Sequence, residues 1–441
     1  MNIIFKITKD MLGQIKADLA RPHPFAFERV GFIYVRRGTL GEGQLLLTAS
    51  YQPVRDEHYT KAKAGDLVGA IINRYAITEA MQKALTTGEG VFHVHMHHFD
   101  SFGEPFSRVD LRSLNELMPN FYSVSKDALH GAILITPKNI LGKYWTPDRT
   151  AHNLQMISVV GDPAIFSQKK RLSIIDAERY SRQSFLGDHS DEIIAHRTIG
   201  VVGVGGGGSH IVQQLSHLGF KKFVLYDPDI ISLSNLNRTV EATEKNVEDK
   251  TKKIEIAGRV VKSLHKDASI RAIGKRWQTE PEPLRECDLV FGCVDQHQER
   301  HELEISMRRY LIPYIDIGLT VVHYKPRPPF MSGHVFLSMP GKLCMWCLGI
   351  LSESKVAEEA KGNGATGSQP QVVWANGVLA STAVGIAVDL ITGWTQKTSR
   401  IAYLTYEGNA GVLKPSTRLN EIDLTKQCHH HQLVKIGDPF L

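Results

Sequence analysis

Gly203-Val-Gly-Gly-Gly-Gly208 follows the apolar run Thr198-Ile-Gly-Val-Val202 and opens a helical pattern from Ser209 to Gly219. Phe223-Val-Leu-Tyr-Asp227 then reads as a second strand ending on an acid. Strand, glycine loop, helix, strand and terminal acid together predict a nucleotide-binding βαβ unit. Glycines at 203, 205, 206 and 208 let backbone N–H groups approach phosphate at a helix N-terminus, and Asp227 is placed to hold ribose hydroxyls. What lies beyond the acid decides which nucleotide. Asp229 and the segment Ser234-Asn235-Leu236-Asn237-Arg238 are polar and cationic, which NAD does not need and an ATP triphosphate does.

The 441 residues have room for two domains with a sizeable core in each. Lys and Arg total 52 against 46 Asp and Glu, a net charge of +6 that is too small and too dispersed to read as a nucleic-acid surface. Five cysteines, an odd number in so long a chain, argue against a disulfide scaffold and for a cytoplasmic protein. Met1-Asn-Ile-Ile-Phe-Lys6 turns polar too soon for a signal peptide, and no run is read as a span of the ~20 apolar residues that cross a bilayer.

Two units are expected, residues 1–160 and 177–441, joined by a linker over 161–176 that carries Ser167-Gln-Lys-Lys-Arg171. The first has α+β patterning: helices over Lys9–Leu19, Ala70–Ala84 and from Val109, with strands at Gly31–Val35, Gln44–Thr48, into Phe92-His93, and at Ala132–Thr136. From Thr198 strands and helices alternate, as in an α/β, Rossmann-like, mostly parallel sheet. Glu353 to Gln371, with Lys-Gly-Asn-Gly-Ala-Thr-Gly-Ser inside it, reads as a mobile loop.

Further along the second unit, Arg238 offers a planar fork of donors, and Lys253 or its neighbour Lys252 a point charge, for phosphates. Asp295 follows the apolar strand Leu289-Val-Phe-Gly-Cys-Val294, at the end of the sheet where ligands bind, and an acid there can hold Mg²⁺. With Arg179-Tyr-Ser-Arg182-Gln183, Asp227-Pro-Asp229, Lys253-Ile-Glu-Ile-Ala257, Arg300 and Ile312-Pro-Tyr-Ile-Asp-Ile-Gly318, this part resembles the ThiF/MoeB-type, ubiquitin-activating adenylyltransferases. The resemblance implies ATP- and Mg²⁺-dependent adenylation of the C-terminal glycine of a ubiquitin-like protein. It assigns Asp227 to ribose, Arg238 and Lys253 to phosphates and Asp295 to magnesium. It makes Arg182 an arginine finger supplied by a partner subunit, hence a homodimer. Asn246-Val-Glu-Asp-Lys-Thr-Lys252 departs from the family in lacking a glycine and in its length.

Cys344-Met-Trp-Cys347 has metal-ligand spacing, and Cys428-His-His-His431 supplies a Cys-x-x-His. A structural Cys₃His zinc site built from Cys344, Cys347, Cys428 and His431, or a neighbouring histidine, is expected. The competing reading makes Cys344 or Cys347 a thioester-forming nucleophile. Cys287 and Cys293 are read as core residues.

In the first unit, Phe92-His93-Val-His95-Met-His97-His98 is followed by Ser107-Arg-Val-Asp110. Alternate histidines on an extended segment project to one side, so two of His93, His95 and His97 can bind one zinc with Asp110, leaving a position open for water. Glu28, in Phe27-Glu28-Arg-Val-Gly31, is the carboxylate to move the proton. The set resembles the JAMM/MPN metalloproteases, which cleave isopeptide bonds beside ubiquitin-like proteins, and the resemblance gives Ser107 a share in stabilising the oxyanion. The family's proline after the second histidine is absent here, and both His-x-His registers stay open.

The two halves together predict a bifunctional enzyme of a prokaryotic-type ubiquitin-like modification pathway, with ATP, Mg²⁺ and two Zn²⁺. Its partner is a ubiquitin-like or sulfur-carrier protein ending in glycine, and a separate conjugating enzyme is compatible with it. A thiolation pathway and a non-catalytic scaffold are the alternatives.

Overall fold

The computed structural model describes residues 2–22, 28–40, 43–61, 69–98, 106–161, 165–168, 178–323, 325–360, 370–397, 402–424, 428–430 and 437. They fall into two compact units, one built on residues 1–161 and the other on 171–432.

The first unit runs β1 (Asn2–Thr8), α1 (Lys9–Leu19), β2 (Val30–Leu40), β3 (Gly43–Pro53), α2 (Arg74–Thr87), β4 (Gly90–Met96), α3 (Arg108–Val124), β5 (His130–Ile135), β6 (Ile140–Trp145), β7 (Ala151–Asn153), β8 (Met156–Val160) and β9 (Ile165–Gln168). These strands form one mixed sheet in the order β7-β6-β5-β4-β2-β3-β1-β8-β9. The strands carry apolar side chains on both faces, so two cores form. Ile3, Phe5, Ile33, Leu46 and Phe92 pack with Leu12, Ile15 and Leu19 of α1. Phe32, Tyr34, Val91 and Leu134 pack with Ala76, Ala80 and Ala84 of α2 and with Leu114, Met118 and Phe121 of α3.

Thr8 caps α1 by accepting from the Met11 N–H, and Asn73 caps α2 by accepting from Tyr75 and Ala76. The Asn73 cap is why α2 begins at Arg74 rather than near Ala70. The opening Asn2-Ile-Ile-Phe-Lys segment, read from sequence only as too short a signal peptide, pairs in parallel with both β3 and β8. A short apolar run without alternation gives a buried strand little to announce it.

The second unit runs α4 (Ser190–His196), β10 (Thr198–Val202), α5 (Gly206–Leu218), β11 (Lys222–Tyr226), α6 (Glu244–Glu248), α7 (Lys253–Leu264), β12 (Ser269–Ile273), β13 (Leu289–Gly292), α8 (His297–Arg309), β14 (Tyr314–Val322), β15 (Phe330–Ser338), α9 (Glu353–Ala360), α10 (Val373–Thr392), β16 (Tyr403–Glu407) and β17 (Val412–Pro415). The sheet order is β12-β11-β10-β13-β14-β15-β16-β17. The pairs from β12 to β14 are parallel and those from β14 to β17 antiparallel. The expected Rossmann-like sheet is therefore a mixed one, five parallel strands extended by three antiparallel ones.

Two expectations change here. Within the segment read as a mobile loop, Glu353–Ala360 is helical, with Ser352 Oγ accepting from the Lys355 N–H, while 361–369 lie outside the described residues. Second, α10 is long and apolar enough to cross a membrane, with a mean hydropathy of 1.5, although 61% of that window is buried. Its buried side includes Leu379, Ala383 and Ala387, and the helix packs against α5, β14 and β15. Alanines dilute its apolar run, which is how the sequence hides its length.

Candidate functional site

The phosphate end of the cleft is made by backbone. β10 ends at Val202, and Gly203 adopts φ +85°, a left-handed conformation, with its N–H donated to the Tyr226 carbonyl at 2.8 Å. A Cβ on Gly203 would come within 2.5 Å of the Cys293 carbonyl oxygen, and one on Gly208 within 1.9 Å of the Gly203 oxygen. The loop can thus lie this close to β13 and α5 only with glycine at both positions. The first turn of α5 then presents N–H groups that have no intrahelical acceptor to a cleft of about 350 Å³. Gly203, Gly205, Gly206, Asp227, Asp229, Asn235, Arg238, Lys253 and Asp295 all line that cleft. Gly208, Asn237 and Arg182 do not: Gly208 supports the loop, Asn237 orients Arg238, and Arg182 is exposed in the turn before α4.

Asp227 is 5% exposed, and its two carboxylate oxygens accept from the Val204 and Asp229 N–H groups, each at 2.9 Å. Burial pushes its pKa up, against the pull of Lys253. It is therefore a clamp on the glycine loop as well as a wall of the cleft. Lys253 Nζ pairs with Asp229 Oδ2 at 2.7 Å. The backbone bridge between Ile230 and Lys252 places the next residue beside Asp229, so Lys253 and not Lys252 enters the cleft. Arg238 Nη1 donates to the Ser234 carbonyl at 2.7 Å and to Asn237 Oδ1 at 3.0 Å, which leaves its other nitrogens for an anion. Asn235 Oδ1 accepts from the Ser232 N–H at 3.1 Å and fixes that turn. Asp295 is exposed, and Gln371 Nε2 donates to its Oδ1 at 3.5 Å.

Beneath this cleft lies a charged network that sequence reasoning missed. Arg300 donates to Asp316 Oδ2 and, at 3.1 Å, to the Ile317 carbonyl; Tyr314 Oη donates to Asp316 Oδ1 at 2.7 Å and His334 Nε2 lies 2.7 Å from Oδ2. Burial would raise the Asp316 pKa, yet Arg300, His334 and Tyr314 hold it below the ordinary range. Arg300 also donates to the Val294 carbonyl, so one guanidinium ties the end of β13, next to Asp295, to β14. Removing one partner of a buried pair strands the other. Asp316→Asn is expected to destabilise the protein by about 3–5 kcal/mol in urea unfolding. A loss below about 1 kcal/mol would mean that Arg300 finds other partners.

In the first unit β4 and the residue that follows it place His93, His95 and His97 on one side, with ring centroids 5.5 Å and 5.0 Å apart in turn. His95 Nε2 lies 3.7 Å from Asp110 Oδ1, and His97 Nε2 lies 3.7 Å from both Asp110 Oδ2 and Glu28 Oε1. Ligand atoms of Glu28, His95 and His97 all fall within 4.8 Å of one another. His93 stands one step further in, against Phe32, and burial pushes its pKa down to about 3. Glu28 is held by its N–H donation to the Gly69 carbonyl at 3.0 Å, and burial raises its pKa. Asp110 is held well below the usual carboxylate range because His95 and the Ser107 contacts outweigh its burial.

His95 is 2% exposed, and neither ring nitrogen has a hydrogen-bond partner. The core histidine His130 shows the contrast: its Nδ1 accepts from the Val91 N–H at 3.1 Å, and its Nε2 lies 2.9 Å from the Ser125 carbonyl. Buried polar atoms are almost always paired, so the orphaned nitrogens of His95, beside two carboxylates, fit a cation. Ser107 also has a local structural role. Its Oγ accepts from the Asp110 N–H at 3.1 Å and its N–H donates to Asp110 Oδ2 at 2.8 Å, a capping box on α3. The Ser-x-x-Asp spacing signals that cap directly.

The cysteines form a second cluster. Sγ atoms of Cys344, Cys347 and Cys428 lie 3.3–3.6 Å apart, and His430 Nδ1 is 3.4–3.9 Å from them. A tetrahedron with Zn–S of about 2.3 Å and Zn–N of about 2.0 Å has edges of roughly 3.8 Å and 3.5 Å, so the four groups fit one zinc ion. His431 lies outside the described residues, and the ring beside the sulfurs is that of His430.

A model of the ThiF family matches residues 179–427. Among curated proteins, ubiquitin-like modifier-activating enzyme 5 of Drosophila willistoni is 25% identical over 195 residues, 40% of this chain and 45% of that protein. The Dictyostelium discoideum protein of the same name is 26% identical over 203 residues, 41% of this chain and 50% of that one. The chain spans about half the length of the curated relatives it matches. Among solved structures, E. coli MccB with MccA-N7isoASN has a TM-score of 0.46 at 19% identity, covering 55% of this chain and 72% of that one.

Proposed function

The chain belongs to the ThiF family, and from that premise we propose that its second unit uses ATP and Mg²⁺ to adenylate the C-terminal carboxylate of a ubiquitin-like or sulfur-carrier protein ending in glycine. The observation that carries this reading is the convergence of the glycine loop, Arg238, Lys253 and Asp295 on one cleft. A carboxylate is a poor electrophile. Its oxygen attacks the α-phosphorus, the bond to the bridging oxygen of the β-phosphate breaks, and pyrophosphate leaves with that electron pair. The protein's work is positioning and neutralisation of charge. The helix N-terminus, Arg238 and Lys253 hold the phosphates, Lys253 exchanging Asp229 for them. Asp295 is the residue to hold magnesium, which supplies charge neutralisation on the phosphates. Arg182, exposed and outside this cleft, is assigned to the site of a second copy, which makes the active form a homodimer.

Cys344 and Cys347 belong in this reading to a structural zinc site with Cys428 and His430. Among the described residues, Cys293 is the cysteine that lines the cleft, and burial pushes its thiol well above the ordinary range, the reverse of what a nucleophile needs. The reaction on this chain therefore stops at the adenylate, and a sulfur donor or a separate conjugating enzyme takes over the acyl group. The first unit is a JAMM/MPN-type peptidase that trims or removes the same kind of tail, an assignment resting on the geometry of Glu28, His95, His97 and Asp110. His95, His97 and Asp110 would hold a zinc ion, which would supply a Lewis acid and an acidified water, and Glu28 is the carboxylate placed to take a proton and deliver it to the leaving amine.

The test of the adenylation reading is ATP–pyrophosphate exchange in the presence of purified ubiquitin-fold proteins ending in glycine. Arg238→Ala is expected to lower exchange about a hundredfold, the scale of one preorganised charge contact. Exchange that is unchanged in Arg238→Ala would remove Arg238 from the phosphate site. Exchange absent in the wild type with every tail protein would remove the reading itself.

A further inference from the structure

Glu28, His95 and Asp110 line a cavity of about 560 Å³ in the first unit. Its wall is largely aliphatic, with Val30, Ile71, Ile72, Ile77, Leu114 and Leu117. A volume of this order is ample for a whole amino-acid side chain. Residues 69–72 are pinned by their backbone. The Gly69 carbonyl accepts from the Glu28 N–H at 3.0 Å, the Ile71 carbonyl accepts from the Thr60 N–H at 2.8 Å, and Ile72 bridges to Tyr59. Ile71, Ile72 and Ile77 nonetheless keep part of their surface exposed, and Val109 at the same cavity is 41% exposed. Gly69 lines the cavity too, and the Glu28 carboxylate occupies the space that a side chain at 69 would fill.

The hydrolysis proposed for this unit says which side chain belongs there. Water adds its oxygen to the glycine carbonyl carbon, the C–N bond breaks, and the nitrogen leaves with the proton that Glu28 carries to it. The leaving nitrogen must therefore come within hydrogen-bond reach of Glu28, beside this cavity. The residue on the acyl side is glycine and has no side chain to house. The residue that carries the leaving nitrogen has its Cβ only two bonds from that nitrogen. An aliphatic wall gains from burying an apolar group and strips water from a charged one. The carboxylates that line the cavity, Glu28, Asp110 and Glu116, disfavour an acidic side chain further.

We propose that this cavity is the specificity pocket for the residue after the scissile bond, and that it selects a large apolar side chain such as leucine or phenylalanine. This rests on the peptidase reading above and goes beyond it by naming the class of leaving residue. The preferred substrate is then a linear precursor extended past its glycine, and the work of the unit is maturation. A lysine in an isopeptide bond offers a single string of methylenes, which leaves most of such a wall untouched.

The experiment measures kcat/KM of the full, zinc-loaded chain on ubiquitin-fold precursors that differ only in the residue after the glycine. That residue is leucine, phenylalanine, alanine or aspartate, and the same tail on a lysine side chain is the isopeptide control. Leucine and phenylalanine are expected to exceed alanine about a hundredfold, the scale on which apolar pockets discriminate by size. Aspartate should be lowest, and the isopeptide should fall below leucine. Ser113 is an exposed residue on the cavity wall, so Ser113→Trp should fill the space and collapse the leucine-to-alanine ratio. Ile71→Lys sets a cation in the wall and should shift the ratio of leucine to aspartate toward aspartate. Ratios do not depend on how much of a variant folds, and the wild-type series decides even if neither variant does. Equal cleavage of all the precursors overturns the proposal and leaves the peptidase reading standing. Faster cleavage of the isopeptide than of the leucine precursor also overturns it, and makes the unit a deconjugating one. A leucine preference undiminished in both variants overturns the assignment to this cavity. No cleavage of any substrate by the zinc-loaded chain removes the peptidase reading and this one together.

Discussion

Glu28→Gln is expected to keep its metal and to lose peptide-bond hydrolysis by about a thousandfold, the usual scale of a general base. Glutamine preserves the side chain's size and its packing against Gly69, where a Cβ would come within 2.4 Å of Glu28 Oε2. It cannot accept and return a proton. Glu28 Oε1 stands 3.7 Å from His97 Nε2, close enough to act on a water held at the cluster, while His95, His97 and Asp110 are the assigned ligands. The readouts are zinc content, hydrolysis of ubiquitin-fold precursors extended beyond their glycine end, and ATP–pyrophosphate exchange. Zinc and exchange should match the wild type while hydrolysis disappears. Hydrolysis that survives Glu28→Gln would take the role of base away from Glu28. A chain without zinc at this cluster would leave the first unit a scaffold.

What the sequence disclosed follows from how local each signal is. The glycine loop, Asp227 and Asp295 are legible because each lies at a strand end, where one residue has one neighbourhood. Lys253 and Lys252 could not be separated along the chain, since adjacent side chains at a helix start differ only in direction; the bridge from Ile230 to Lys252 decides it. The histidine register was open for the same reason. All three rings share one side, and only the positions of Glu28 and Asp110, supplied from outside the strand, favour His95 and His97. Asp316 and His334 were illegible as partners because antiparallel pairing of β14 with β15 joins them, and nothing near either residue announces it. The choice of His430 over His431 turns on a difference of one residue in a run of three histidines, which spacing alone cannot resolve.

Cys347→Ser is expected to remove one of two zinc ions per chain, and the consequence for stability can be bounded. A ligand bound to the folded state at a free concentration a thousand times its dissociation constant contributes about 4 kcal/mol. For a unit of this size that corresponds to a fall in Tm of roughly 8–16 °C. The loss should be local in structure, because the Cys344 loop has anchors of its own. Glu304 accepts from the Met345 N–H at 3.1 Å, Arg308 donates to the carbonyls of Met339 at 2.9 Å and Lys342 at 2.6 Å, and Trp346 Nε1 donates to His301 Nδ1 at 2.9 Å. Cys428 and His430 reach that loop through the cluster. Loss of the metal removes that link, so proteolysis is expected to begin near Cys428 and His430 while the Rossmann-like sheet keeps its circular dichroism. Asp110→Ala should remove the other zinc and leave this Tm near its wild-type value. Two zincs retained in Cys347→Ser, or a covalent adduct of the tail protein trapped on Cys347 in the wild type, would return this cysteine to the role of thioester nucleophile.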